Sequence, residues 1–321
     1  MTADGIRYSY GPVPSRRLGR SLGINNIPPK VCSYACIYCQ AGRTVRHENS
    51  RSAFYVPEDI FDDLKNRVQR ARNRTEKIDY LAFVPDGEPT LDLNIGKEII
   101  LLKRLGVPIG VITNSSLLWR NDVREELCRA DWVSVKVDTV DEVLWKKINK
   151  PCKGINFDQM LEGIAAFAGV YSGRLVTETM LLKGINDNDR CMNETADFIR
   201  QLDPDTAYLS VPIRPTQEKN AHMPEECTLN RMYNLLSEKV PVVECLAGYE
   251  GNAFAFTGNV EKDLLSVTAV HPMRREAVED LLARAGASWD VVGMMMASGQ
   301  LVKTDYNGHE FYLRRFGNHC I

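Results

Sequence analysis

The stretch that decides the fold is KVCSYACIYCQ, residues 30–40, which carries three of the nine cysteines in the chain. Three residues separate Cys32 from Cys36, and two separate Cys36 from Cys39. A structural zinc site takes four ligands, usually as two close pairs, and a redox-active dithiol would leave Cys32 unexplained. Three thiolates can instead hold an iron–sulfur cluster with an open coordination position on one iron. Three unrelated buried cysteines would not account for so close a spacing.

The composition is that of a globular protein kept in a reducing compartment. With 321 residues, 44% of them hydrophobic, the chain is long enough to bury a large core. A net charge of −2 gives no overall attraction to nucleic acid or to a membrane. The first residues lack the apolar core of a secretory signal, and no stretch is long and apolar enough to span a bilayer. We therefore expect a cytoplasmic protein that makes no membrane contact.

Basic residues are concentrated around the three cysteines. Only Asp4 and Glu48 are acidic in residues 1–51, and this region contains eight Lys and Arg residues. One interpretation is a solvated basic surface. The other is an entrance that attracts an anionic substrate or cofactor.

Residues 21–245 alternate short strand patterns with longer helical patterns. Such alternation predicts about six β/α units and a parallel sheet, as a partial barrel or an open doubly wound sheet. The predicted strands cover 21–27, 78–84, 108–113, 132–137, 174–182 and 207–213. The predicted helices cover 57–72, 96–106, 122–130, 157–170, 190–202 and 228–239.

The last part of the chain predicts a second, smaller unit. We place the domain boundary so that residues 1–250 form the larger domain and residues 251–321 the smaller one. Three helical patterns are followed by a hairpin that turns at Asn307-Gly308, which is the pattern of a winged-helix-like α+β domain. Because seven basic and eight acidic residues lie in 261–321, a docking or peptide-binding role is favoured slightly over DNA binding.

Two further motifs follow predicted strands. "FVPDGEPTLDLN" (83–94) contains Asp86, Gly87, Glu88 and Pro89, and "VITNSS" (111–116) contains Thr113, Asn114 and Ser115. Because ligands bind at the carboxyl ends of parallel strands, both motifs are expected to meet the cysteine loop there. Simple helix-capping turns are the alternative for each motif.

The spacing of the three cysteines, with Tyr38 before the last one, resembles the signature of the radical S-adenosylmethionine (SAM) superfamily. That resemblance implies a partial (β/α)6 TIM-type barrel, a [4Fe–4S] cluster on Cys32, Cys36 and Cys39, and SAM on the open iron. It also implies that an electron from an external donor, flavodoxin-like or ferredoxin-like, cleaves SAM. The resulting 5′-deoxyadenosyl radical abstracts hydrogen from a substrate.

The resemblance also assigns the SAM contacts. Asp86-Gly87-Glu88-Pro89 resembles the family's Gly-Gly-Glu segment, which takes up the SAM ammonium, with Asp86 where many members have Gly. Asp lacks the freedom of Gly at positive φ, so the turn is expected to differ slightly. Thr113-Asn114-Ser115 resembles the Thr-Asn-Gly segment at the ribose. The remaining contacts are Tyr38 at the adenine and Lys136 or Arg214 at the carboxylate.

Lys136, Asp138 and Glu178 lie in predicted strands and are candidate catalytic residues. Lys136 and Asp138 are two residues apart and therefore share one strand face. A buried structural ion pair is the alternative for this group.

Long segments are similar to a group of iron–sulfur oxidoreductases related to the wyosine-base tRNA synthases, which carry a C-terminal winged-helix module. This kinship suggests modification of an RNA base. The alternatives are radical modification of a protein or peptide docked by that module, and a non-catalytic iron–sulfur binding or assembly protein. Wyosine synthases carry a second cluster on earlier cysteines, and no cysteine precedes Cys32 here. A second cluster built from the scattered cysteines stays open.

Overall fold

A computed structural model describes residues 8–248, 251, 254 and 256–315. The strands before residue 250 are β1 (Ser9–Ser15), β2 (Gly19–Ile24), β3 (Val31–Cys32), β4 (Arg46–His47), β5 (Tyr80–Phe83), β6 (Ile109–Thr113), β7 (Trp132–Lys136), β8 (Arg174–Met180), β9 (Thr206–Ser210) and β10 (Val243–Leu246). The helices are α1 (Pro57–Asn73), α2 (Ile95–Lys103), α3 (Asn121–Leu127), α4 (Glu142–Asn149), α5 (Phe157–Ala168), α6 (Asp189–Leu202) and α7 (Glu226–Ser237).

Eight strands form one curled sheet in the order β1-β2-β5-β6-β7-β8-β9-β10. The pairs from β2 to β10 are parallel, whereas β1 is antiparallel to β2. The sheet is a half-barrel, which confirms the predicted partial barrel. The six predicted strands correspond to β2 and β5–β9, whereas β1, β3, β4, β10 and α4 were not predicted.

Alternating residues give the sheet two different faces. One set, with Leu22, Val133 and Leu209 among its members, packs under the helices in the main core. The opposite, concave face buries Trp132, Val176 and other apolar residues near the amino ends of the strands. Two and four residues further along the same face lie Lys136, Glu178 and Ser210. The concave face is therefore apolar at one end and polar at the carboxyl ends of the strands.

Several helices begin at residues that the sequence selects for that position. Asp141, Asn156 and Asn188 each accept a hydrogen bond from a backbone N–H in the first turn of α4, α5 and α6, respectively. These caps satisfy donors that the helix itself cannot pair. Each cap thereby fixes the residue at which its helix begins.

The turn between β1 and β2 joins the two edges of the half-barrel. Arg16 donates to the carbonyl oxygen of Leu246 and, at 3.0 Å, to that of Gly248, beyond the far edge strand. Leu18 packs with Leu246 and Trp132 on the concave face. The turn therefore packs on the apolar part of the concave side.

The C-terminal elements are α8 (Val260–Thr268), β11 (Met273–Arg274), α9 (Arg275–Ala285), α10 (Asp290–Ala297), β12 (Leu301–Tyr306) and β13 (His309–Arg314). The three predicted helices and the hairpin are confirmed, and Asn307 and Gly308 have the positive φ angles, 49° and 76°, of its turn. The short β11 extends the hairpin to a three-stranded sheet. The winged-helix assignment stays a prediction. So does the boundary at 250/251, because Glu250 lies outside the described residues.

The C-terminal elements share their core with the barrel. Tyr10 and Val13 of β1 are buried in the same cluster as Phe254, Leu264 and Leu281. The β12–β13 hairpin also reaches the barrel, where the Tyr306 hydroxyl donates to the Pro212 carbonyl at 3.3 Å. β1 therefore belongs to both packing units.

Among the described residues, no helix combines the length and the apolar character that a membrane crossing requires.

Candidate functional site

The cysteine loop, residues 30–40, packs against the end of α4. The backbone N–H groups of Ala35 and Ile37 donate to the carbonyl oxygens of Asn149 and Ile148 at 3.0 and 2.9 Å. The thiols of Cys32, Cys36 and Cys39 are free and half-buried. The end of α4 therefore sets the course of the loop.

Two asparagine side chains point at the cysteine sulfurs. Asn114 Nδ2 lies 3.5 Å from Cys32 Sγ, and Asn149 Nδ2 lies 3.5 Å from Cys36 Sγ. Asn114 also donates to Ser33 Oγ at 2.9 Å. N–H donors around sulfur ligands stabilise thiolate charge and raise the reduction potential of a cluster.

The turn after β5 touches the backbone of the cysteine loop. A Cβ atom on Gly87, whose φ is 156°, would lie 1.9 Å from the Val31 carbonyl oxygen. That oxygen accepts from the Glu88 N–H at 3.1 Å. Glycine is required at position 87 because only its bare Cα permits this approach.

Asp86 fits its turn without a positive φ angle. The expected local difference is instead an ion pair, because the Asp86 carboxylate lies 2.8 Å from Lys30 Nζ. The Lys30 N–H donates to the Asp86 carbonyl at 2.7 Å. The aspartate therefore forms a second link between this turn and the start of the cysteine loop.

The buried Glu88 carboxylate ties the two strand-end turns together. Glu88 Oε1 accepts from the hydroxyls of Thr90 and Thr113 at 2.6 and 2.7 Å. Glu88 Oε2 accepts from the Asn114 N–H at 2.7 Å. Burial raises the pKa of Glu88, and these hydrogen bonds act in the opposite direction.

Ser115 adopts the left-handed conformation that its motif assigns to glycine, with a φ of 68°. Its hydroxyl accepts from the Lys136 N–H at 2.8 Å, and its own N–H donates to Thr113 Oγ1 at 3.1 Å. These hydrogen bonds offset the strain of the left-handed backbone. They also connect the turn to the end of β7.

Lys136 and Glu178 form an ion pair on the concave face. Lys136 Nζ lies 2.9 Å from Glu178 Oε1, which also accepts from Ser210 Oγ at 3.1 Å. Arg17, from the β1–β2 turn, pairs with Glu178 Oε2. Burial lowers the pKa of the Lys136 ammonium. The Asp138 carboxylate opposes this shift, and the nearby Arg17 charge adds to it.

Asp138 organises the region between α4 and the cysteine loop. Its Oδ2 accepts from the Tyr38 hydroxyl at 2.5 Å and from Asn149 Nδ2 at 2.7 Å. Its Oδ1 accepts from the Met180 N–H at 2.9 Å. Tyr38 is thereby held with its ring centroid 5.3 Å from Lys136 Nζ.

The two remaining predicted residues lie at the same end of the barrel. Arg214 is buried, and its Nη1 donates at 3.2 Å to Oε1 of Gln40, the residue that follows Cys39. Pro89 is buried at the start of a short 3₁₀ turn, and its carbonyl accepts from Asn26 Nδ2 at 3.1 Å.

A sequence profile described as the Radical SAM superfamily matches residues 26–199, which include the three cysteines and both strand-end turns. The chain belongs to the radical SAM superfamily. It is an enzyme of that superfamily, whose members use a [4Fe–4S] cluster and SAM.

Individual relatives and solved structures are also similar to this radical SAM chain. It is 46% identical over 311 residues to a UPF0026 protein of Methanocaldococcus jannaschii, with 96% of each chain covered, and so belongs to that family too. The fold resembles that of the wyosine synthase TYW1 with a lysine–pyruvate adduct bound, with a TM-score of 0.53, 17% identity and coverage of 69% and 74% of the two chains. It also resembles Streptococcus suis SuiB bound to precursor peptide SuiA, with a TM-score of 0.52, 13% identity and coverage of 72% and 52%.

The three cysteines of this radical SAM enzyme fit a positively charged cluster. Burial raises the pKa of the Cys36 thiol to about 12, and it also raises the pKa values of Cys32 and Cys39. Thiolates at these positions therefore need bound cations, which iron would supply. Among the described residues, no three metal-binding side chains converge on a position for a single ion. The fit rests on the three thiols and on the amides of Asn114 and Asn149.

The structure brings the predicted residues of this radical SAM site to one end of the half-barrel, and it adds residues that the motifs did not indicate. The added residues are Asn149 from α4, Lys30 and Ser33 from the cysteine loop, and Arg17 from the β1–β2 turn. Only Lys30 and Arg17 had a sequence signal, the basic excess around the cysteines. No motif marked Asn149 or Ser33.

Proposed function

We propose that this enzyme cleaves SAM reductively at a cluster held by Cys32, Cys36 and Cys39 and abstracts hydrogen from an RNA base, as a step in tRNA modification. The supporting observation is the meeting of the cysteine loop, two strand-end turns and the Lys136–Glu178 pair at the carboxyl end of one half-barrel. When bound, the cluster supplies the electron that converts SAM into a 5′-deoxyadenosyl radical.

The turn residues form the SAM site in this proposal. Backbone carbonyls of the Asp86–Pro89 turn accept the SAM ammonium, because a carbonyl oxygen takes two hydrogen bonds. The Glu88 carboxylate positions this turn against Thr113 and Asn114. The segment Thr113–Ser115 faces the ribose.

The other SAM contacts come from the cysteine loop and the strands. The ring of Tyr38 flanks the adenine, held in place by Asp138. Lys136 or Arg214 supplies the cation for the SAM carboxylate.

The substrate side of the site is the polar part of the concave face. Glu178 is shared by Lys136, Arg17 and Ser210, so a substrate can exchange a hydrogen bond or a proton with this group. Lys136 and Glu178 are the proposed catalytic pair. Asp138, whose oxygens are all occupied by Tyr38, Asn149 and Met180, is a positioning residue.

An RNA substrate is favoured by the fold shared with a wyosine synthase. A protein or peptide substrate is the second candidate, because the fold is also shared with SuiB, whose structure contains a precursor peptide. In that case the C-terminal elements, which carry no basic excess, would dock the peptide. Mass spectrometry of RNA and peptides that copurify anaerobically with the protein distinguishes the two.

The test of SAM cleavage uses anaerobically reconstituted protein, a chemical reductant and SAM, with 5′-deoxyadenosine measured by chromatography. We expect Cys36→Ala to lose both the visible absorption of the cluster and 5′-deoxyadenosine formation. Cys128→Ala is the matched control, because Cys128 is also a half-buried free cysteine but lies at the end of α3. If wild-type protein with a full cluster forms no 5′-deoxyadenosine, the proposal fails.

A further inference from the structure

A solvent-exposed edge strand lies directly beside the first cysteine. β4 pairs in parallel with β3, and His47 is the partner of Cys32 in that pair. The Glu48 N–H donates to the Cys32 carbonyl at 3.2 Å, and His47 Nε2 lies 3.1 Å from the Ser33 carbonyl oxygen. Because paired strands are about 4.8 Å apart, a molecule that contacts β4 is one strand spacing from Cys32.

β4 lies on the side of the cysteine loop that faces away from the barrel. Val31 bridges to Gly87, at the end of β5, on one side and pairs with Arg46 on the other. The Lys136–Glu178 pair lies on the concave face of the sheet. β4 is therefore separated from the substrate side by the cysteine loop itself.

Exposed basic side chains surround this edge. Segment 43–49 contacts segment 152–153, because Cys152 Sγ lies 3.5 Å from the His47 carbonyl and Asn49 Nδ2 donates to the Lys153 carbonyl at 3.3 Å. We define the basic surface as Arg43, Arg46, Lys146, Lys147, Lys150 and Lys153, all exposed. Glu48, Glu142 and Glu218 pair with Arg46, Lys146 and Lys150, so the surface retains a net positive charge.

Two exposed apolar side chains lie close in sequence to these basic residues, Val45 beside Arg46 and Val143 on α4. Val45 is 66% exposed and Val143 is 74% exposed. A surface that mixes apolar and positive groups suits a transient protein contact, and electron-transfer complexes form small interfaces of this mixed kind. A surface that binds RNA would need more cations available for phosphates.

We propose that the basic surface docks an acidic one-electron carrier protein of the flavodoxin kind, which passes its electron through β4 to the cluster at Cys32. The carrier is oxidised by one electron and the cluster is reduced by one, with no other co-reactant. This inference rests on the proposed function, because only a cluster that must be reduced needs such a contact. It assigns the basic excess near the cysteines to the donor rather than to the substrate.

The test measures how fast reduced flavodoxin reduces the cluster in the anaerobic holoenzyme, followed by stopped-flow absorption. We expect Arg43→Glu/Lys153→Glu to lower the second-order rate at low salt by about tenfold or more. Reduction by a small chemical reductant should change less than about twofold, since steering by this surface acts on a charged protein partner. Lys65→Glu/Lys77→Glu, on α1 and before β5, is the matched control and should keep the wild-type rate.

Three outcomes would overturn the docking proposal. The first is a wild-type rate with flavodoxin in the double variant. The second is a wild-type rate that does not fall as salt is raised, because electrostatic steering is screened by salt. The third is loss of tRNA binding with an unchanged flavodoxin rate, which would assign the surface to RNA.

Two further measurements keep the result interpretable. If Arg43→Glu/Lys153→Glu also slows reduction by the chemical reductant, the same rates are measured on Lys146→Glu/Lys147→Glu instead. These two residues are on α4 and lie outside segments 43–49 and 152–153. Formation of 5′-deoxyadenosine with the chemical reductant tests the proposed function separately. A protein that forms it but shows no charge dependence with flavodoxin overturns the docking surface alone.

Discussion

Gly87 sets the distance between the cysteine loop and the turn after β5. We expect Gly87→Ala to lose most of its cluster, because the new Cβ would lie 1.9 Å from the Val31 carbonyl and would push the loop away. Iron content and visible absorption after reconstitution measure this loss. Gly293→Ala is the control, since nothing lies within 4 Å of its added Cβ and alanine is more stable than glycine inside a helix by about 0.5–1 kcal/mol. Equal iron content in both variants would contradict the prediction.

The side-chain amide of Asn149 lies 3.5 Å from the sulfur of Cys36, one of the three proposed cluster ligands. We expect Asn149→Leu to make the midpoint potential more negative, because an N–H donor that stabilises the reduced cluster is lost. A hydrogen bond of about 1 kcal/mol corresponds to roughly 40 mV for one electron. An electron paramagnetic resonance titration measures the potential.

Asn186→Leu is the control for this titration. Asn186 donates to the Asp138 carbonyl at 2.9 Å from a neighbouring buried position, so it tests for general loosening around Asp138. Its potential should stay at the wild-type value. An equal shift in both variants would mean that Asn149 acts through packing instead of through the sulfur.

At the scale of elements, α2 carries a buried acid, Glu98, that destabilises the folded state at alkaline pH. Burial, together with the neighbouring Asp92, raises the pKa of Glu98 to about 10. The folded state therefore holds a proton that the unfolded state releases above about pH 4.3. The free energy of unfolding falls as pH rises between these two values, by up to about 1.4 kcal/mol per pH unit.

Replacing that acid should remove the dependence. We expect Glu98→Gln to raise the free energy of unfolding by at least about 1 kcal/mol at pH 8, and to have little effect near pH 4. Chemical denaturation at both pH values measures the difference. Glu125→Gln, an exposed residue on α3, is the control. A gain that is the same at both pH values would show that Glu98 is not protonated in the folded protein.

Regular elements could be predicted from the sequence where local signals were strong, as in β2 and β5–β9. α4 also carries such signals, since Asp141 caps it and Trp145 and Ile148 repeat at helical spacing. β1 and β10 are edge strands, whose short patterns depend on long-range packing. The contact of Asn149 with Cys36 joins positions 113 residues apart, so no local pattern predicts it.

The features of the site also divide into those with a local sequence signal and those that depend on long-range packing. The cysteines and the two strand-end turns were predictable because their spacing is local and parallel strands end at one edge. The motif did not indicate that the Glu88 carboxylate links the two turns by accepting hydrogen bonds from the second one. That arrangement depends on how β5 and β6 lie side by side, which the residue types do not specify.

At the scale of the whole molecule, Arg16 holds the edges of the half-barrel together. We expect Arg16→Ala to increase hydrogen exchange in β10 by about tenfold, because hydrogen bonds from a charged donor are worth about 1.5–3 kcal/mol. Exchange measured by mass spectrometry on peptides that cover Val243–Leu246 tests this. Arg104→Ala, an exposed arginine at the end of α2, should leave β10 unchanged. Wild-type exchange in β10 of the Arg16 variant would contradict the role.

The length of the turn between β1 and β2 determines which of its side chains reaches Glu178. Arg17 enters the concave side from the amino ends of the strands and meets Glu178, while Lys136 reaches the same carboxylate from a neighbouring strand. A turn one residue longer would present a different side chain to Glu178, and a shorter one would leave the arginine out of reach. Among relatives of this fold, the length of this one turn should therefore vary with the size of the molecule that the barrel accepts.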